Sequence, residues 1–152
     1  MNVLALDPSS KSIGWAVHDV NTGITSGAWR PLSWRSAQQT EFGRHLEMCG
    51  RSGAWLADMI TEHAPEVVAI ETAVPIRYSR CLERLAGALM LVLYTREVLA
   101  HPVTPNTWQA WANQNCQTRL TQWRTDDKPD DIAAELILEW FMSTTAHRVV
   151  AA

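Results

Sequence analysis

Five carboxylates stand out by where the sequence puts them: Asp7, Glu71, Asp130, Asp131 and Glu135. Asp7 ends an apolar run, Val3-Leu4-Ala5-Leu6, and Glu71 ends a second, Val67-Val68-Ala69-Ile70. Pro8 cannot donate to a sheet ladder, so the chain is expected to leave the sheet directly after Asp7. An acid at the carboxyl end of an apolar strand sits where open α/β sheets hold their ligands. If the two runs are parallel neighbours ~4.8 Å apart, the acids end side by side. Carboxylates that close repel unless a proton or a cation lies between them. A hard divalent cation is the natural occupant, since Mg²⁺ needs only a few carboxylates plus water. Asp130 and Asp131 open a C-terminal helix after Pro129, with Glu135 one turn beyond Asp131 on the same side. Such a set could hold two cations ~3.5–4 Å apart, the arrangement that activates water and stabilises the leaving oxygen in phosphodiester cleavage. Each acid alone has a plainer account: an Asx turn at Asp7, a solvated strand end at Glu71, the helix dipole at Asp130 and Asp131. Their conjunction is what points to a metal site.

The elements that must position these acids follow from periodicity. Residues 3–6, 13–17 and 24–30 read as three strands joined by short turns, an antiparallel meander closed by Pro31. Residues 36–63 carry apolar side chains at helical spacing, with Gly50 and Gly53 marking a possible kink or break. A strand over 66–71, reached through that helix, is expected to run parallel to the first. A helix over 78–100 is apolar on more than one face, so it is expected to be buried on two sides, the second against a dimer partner. Residues 101–105 form a short edge strand or turn, 106–112 a short helix, and 113–127 carry no clear pattern. The final helix, 130–141, has Ile132, Ala133, Leu136, Ile137 and Trp140 on one face, and 143–152 reads as a tail. The domain assignment is therefore a single domain over 1–142 with a C-terminal tail.

These motifs resemble the RuvC-like Holliday junction resolvases of bacteria and phages, within the RNase H-like nuclease superfamily. The resemblance lies in Leu4-Ala5-Leu6-Asp7-Pro8-Ser9-Ser10 with Gly14-Trp15-Ala16-Val17, in Val68-Ala69-Ile70-Glu71, in Pro105-Asn106-Thr107-Trp108, and in Lys128-Pro129-Asp130-Asp131-Ile132-Ala133. It spans most of residues 2–141. It implies a dimeric, Mg²⁺-dependent endonuclease, with Mn²⁺ as a substitute, that nicks a four-way DNA junction symmetrically. It also implies that Asp7, Glu71 and Asp131 bind metal. The family pattern has a second Asp three residues after the one matched by Asp131, and here that position is Ala134. Glu135 or Asp130 is expected to fill the gap, or the site is impaired. The family's stacking aromatic three residues after the strand acid is Val74 here, which leaves Tyr78 for that role. A lysine typical of the region before the last helix is replaced by Arg119.

Arg77, Arg80 and Arg84 share a helix face after Glu71, either a phosphate track or a solvated face paired with Glu83. Lys11, in the turn after Asp7, is better placed for a phosphate. With 152 residues, 47% of them hydrophobic and a net charge of −3, DNA binding must rest on such local patches rather than on bulk charge. No apolar run approaches the ~20 residues that span a bilayer. The odd, scattered Cys49, Cys81 and Cys116 suit reduced thiols in the cytoplasm of a bacterial cell or phage-infected host. The expected fold is thus an RNase H-like α/β fold, a mixed five-stranded sheet with helices on both faces. The expected activity is resolution of branched DNA by a homodimer. The rivals are a junction-binding protein with a crippled site, a related nuclease on other branched DNA or RNA, and a sugar-kinase-like phosphate loop. The last needs two domains and more chain than this.

Overall fold

Apolar residues at successive positions of Val3–Pro8 (β1) are buried on both sides, which marks a central strand covered on two faces. In a computed structural model, which describes residues 1–9, 11–30, 40–72, 79–127 and 129–149 (side chains to 145), β1 indeed lies in the middle of its sheet. Ile13–Asp19 (β2) and Gly23–Trp29 (β3) complete the meander. Val67–Glu71 (β4) runs parallel to β1, and Leu99–Val103 (β5) parallel to β4. The order β3-β2-β1-β4-β5 is the expected mixed five-stranded sheet.

Glu41–His63 (α1) and Arg80–Thr95 (α2) cover one face through Met48, Leu56, Leu85, Leu89 and Leu93. Pro105–Asn115 (α3), Gln117–Thr125 (α4) and Asp130–Val149 (α5) cover the other. Strand alternation sorts the side chains. Leu4 and Leu6 meet the α1/α2 layer, whereas Val3, Ala5, Ala16, Val67 and Ala69 meet α5. Continued by two residues, the second set reaches Asp7, Gly14 and Glu71. Both strand acids are thereby aimed at the α5 side.

Several expected boundaries move. Pro8 does not end the sheet but pairs opposite Ile13, a strand-end position where its missing N–H is tolerated. Gly50 and Gly53 interrupt nothing, since α1 is continuous and Gly53 packs against Val92 of α2. The helix expected to reach residue 100 stops at Thr95, and Leu99 and Ala100 belong to β5. The short helix extends to Asn115, the unpatterned 113–127 contains α4, and α5 runs through the expected tail to Val149. Among the described residues no helix is long and apolar enough to cross a membrane.

Candidate metal centre

Register brings the acids together. Leu6 pairs with Ile70 across β1 and β4, so Asp7 and Glu71 follow at the same sheet edge, and Asp7 pairs with Gly14 on the other side. The start of α5 lies directly over Gly14: a Cβ there would stand 2.8 Å from Asp130 Cβ and nearer still to its carbonyl. Glycine is what permits the helix to come this close. Ser12, buried at the head of β2, donates its hydroxyl to Asp130 Oδ2. The turn carrying Ser12 is itself closed by Ser9, whose hydroxyl donates to the Ser12 carbonyl at 2.8 Å and accepts from the Ser12 N–H at 3.0 Å.

Electrostatics mark the same group. Burial, then the charges of Glu71 and Asp130, hold the Asp7 carboxyl well above the usual carboxylate range. Burial also raises Glu71, opposed by a 2.5 Å hydrogen bond from the Trp108 indole, with Asp130 pushing it up further. Asp130 is raised by burial against the pull of Ser12 and Arg30. Three acids each raised by burial and by an acidic neighbour are acids in want of a cation. Among the described residues, no three His, Cys, Asp or Glu side chains stand close enough to hold a metal ion as they are. The donor chemistry fits one all the same: oxygen only, anionic, desolvated and at the carboxyl ends of parallel strands.

Asp130, rather than Asp131, is thus the helix acid beside Asp7. Asp131 lines the adjoining cleft of about 600 Å³, with Ser9, Lys11, Arg30, Asp127 and Asp130 among its walls. The family-pattern position at Ala134 is fully buried in the apolar cluster beneath α5. Glu135 is turned elsewhere: it accepts from Ser26 on β3 and from Arg119, which also pairs with Glu139. Arg119 is accordingly held within the fold between α4 and α5. Arg84 lies over the Phe42 ring at 5.4 Å and bonds His45 Nδ1 at 2.7 Å, so it faces α1. Arg80 is exposed in the first turn of α2, and Lys11 is exposed at the cleft. Arg77, Tyr78 and Val74 lie outside the described residues.

The sequence reading missed Ser12, Gly14, Arg30, Trp108 and Asp127 as parts of this site. Gly14 and Trp108 stand within the family-like motifs without a role assigned to them, and Asp127 carries a signal of its own, an acid three residues before Asp130. It holds φ 62°, a left-handed conformation that Asp tolerates.

Neither a protein-family model nor a curated protein sequence matches this chain. Solved structures do. Thermus thermophilus RuvC in complex with a Holliday junction substrate superposes with a TM-score of 0.66 at 16% identity, over 95% of this chain and 96% of that one. A second Thermus thermophilus RuvC structure gives 0.62 at 16%, over 94% of this chain and 96% of that one. The yeast mitochondrial Holliday junction resolvase Ydc2 gives 0.65 at 15%, over 92% of this chain and 78% of that one.

Proposed function

Because the chain has the fold of the RuvC resolvases, we propose that it is a metal-dependent, structure-selective endonuclease that resolves four-way DNA junctions by symmetric phosphodiester hydrolysis. The observation that carries this reading is the convergence of Asp7, Glu71 and Asp130, each with its carboxyl pushed up by burial and by acidic neighbours. When bound, Mg²⁺, or Mn²⁺ in its stead, supplies charge stabilisation at the phosphate and acidifies the attacking water. Asp7 and Glu71 would hold the cation from adjacent strand ends, with Asp130 joining them from α5. Asp127 and Asp131, in the cleft wall, are the further oxygen donors.

Lys11 and Arg30 share that cleft with the acids and make no ion pair among the described residues. They bind the phosphates that flank the scissile one, orienting it toward Asp7. One chain carries one such centre, so two symmetric nicks call for a homodimer. The outward side of α2, with Met90, Leu91 and Tyr94 exposed, is the surface offered to the second copy. The expected setting is the cytoplasm of a bacterial or phage-infected cell.

The test is cleavage of a labelled four-way junction beside a linear duplex of the same sequence, with and without Mg²⁺. Paired nicks on the junction alone are expected. Equal cutting of both substrates would keep the metal site and remove junction selectivity. Tight binding with no nicks in Mg²⁺ or Mn²⁺ would refute the nuclease.

A further inference from the structure

The α3–α4 pair has no role in the reading above, yet it reaches the metal centre through one atom. Trp108, on the first turns of α3, is 1% exposed and directs its indole N–H to Glu71 Oε2 at 2.5 Å. An indole has a single donor and no acceptor, so this bond is the only polar contact that ring can make. The ring itself is held: Trp123 of α4 packs edge-on against it with centroids 5.2 Å apart. α4 is in turn tied to α5 by Arg119, whose guanidinium forks onto Glu135 and Glu139. Glu71 Oε1 receives no hydrogen bond among the described residues.

We infer that Trp108 is a positioning residue for the cation site: its N–H pins one oxygen of Glu71 and leaves Oε1 as the donor atom. This rests on the metal-site reading above. A glutamate carries one more rotatable bond than an aspartate, and Glu71 is the strand acid that needs restraint beside Asp7. Partners bonded to a metal-binding side chain typically change affinity ~10–100-fold when lost. The α3–α4 pair thereby acts as a brace. It links the strand bearing Glu71 to the helix bearing Asp130, and it accounts for Arg119 and Glu135 without assigning either to DNA or metal.

The experiment is Mn²⁺ titration of the whole protein, followed by electron paramagnetic resonance of the free ion, on wild type and Trp108→Phe. Phenylalanine keeps a ring in the pocket and removes the donor. Wild-type binding with affinity about 10-fold or more weaker in Trp108→Phe supports the inference. Equal affinities overturn it while leaving the metal site intact. No binding by wild type overturns the metal-site reading and the inference with it. Should Trp108→Phe fail to fold, the indole N–H resonances of the wild-type protein decide. One strongly shifted indole proton that moves on adding Mg²⁺, and loses its shift in Glu71→Ala, is expected; no responsive indole proton would overturn the inference.

Discussion

Gly14→Ala tests the closeness of α5 to the sheet more directly than removing any acid. The added methyl carbon would lie 2.8 Å from Asp130 Cβ and closer to the Asp130 carbonyl, both parts of the helix start rather than a movable side-chain tip. Carbon contacts settle at ~3.5–4.0 Å, and the Asp130 carbonyl carbon would stand at 2.3 Å, so the first turn of α5 must retreat by more than ~1 Å. Overpacking of this kind costs about 1–3 kcal/mol. For a chain of this size that lowers Tm by roughly 2–4 °C per kcal/mol. The larger effect is on chemistry. Asp130 is carried by the same turn, and a 1 Å misplacement of a catalytic group costs about 100-fold in rate. The expected result is a folded protein that binds the junction normally, cleaves about 100-fold more slowly and needs more Mg²⁺ to do so. Gly50→Ala is the control: its Cβ meets nothing, and the helix gains up to about 1 kcal/mol. Wild-type cleavage by Gly14→Ala would mean that Asp130 does not act at this centre. Parallel loss of junction binding would mean that the substitution had damaged more than the helix start.

Asp7→Asn is expected to abolish cleavage, retain junction binding and raise the metal-free Tm near neutral pH. The sign follows from a folded-state carboxyl above its unfolded value. Its charged form weakens folding, the penalty is absent below the unfolded value, and it grows as pH rises through the interval between the two. Thermal melts of both proteins with chelator across pH check this; a wild-type-minus-variant difference that does not shrink on acidification would contradict it. Ala134→Asp, the change the family pattern would suggest as a repair, is expected instead to destabilise by about 3–5 kcal/mol, an uncompensated charge in a fully buried site; a stable, more active variant in urea melts and cleavage assays would reverse that. Glu135→Gln is expected to leave the Mg²⁺ concentration for half-maximal cleavage unchanged, because Arg119 and Ser26 occupy this carboxylate. A rise of 10-fold or more in that concentration would restore Glu135 to the metal site.

The strand acids were legible because two rules agree on them. An apolar run says central strand, and an acid at its end cannot be buried further, so position and chemistry are given together. The helix between the runs then dictates a parallel crossover, and the β1–β4 register follows. Nothing comparable exists for Arg30, at the end of an exposed strand, or for Asp127, in a polar stretch with no period. They matter only through the cleft they share, which is a property of three dimensions.

The one-residue difference between Asp131 and Asp130 has a specific cause. A helix with a polar side shows which of its acids faces the sheet, but α5 is apolar nearly all round: Ala133, Ala134, Leu136, Ile137, Leu138 and Phe141 are all buried. Its sequence therefore fits several rotations about its own axis. The stripe through Ile132, Ala133, Leu136, Ile137 and Trp140 was one, and it left Asp131 free beside the apolar face. In the structure Ala133, Ala134, Leu136, Ile137 and Leu138 are all fully buried and Phe141 nearly so, with Ile132 and Trp140 partly covered. What fixes the rotation lies outside the helix: Gly14, without a side chain, admits the Asp130 backbone, and Ser12 holds its carboxylate. The identity of the helix acid is thus written in β2, 116 to 118 residues away in the chain.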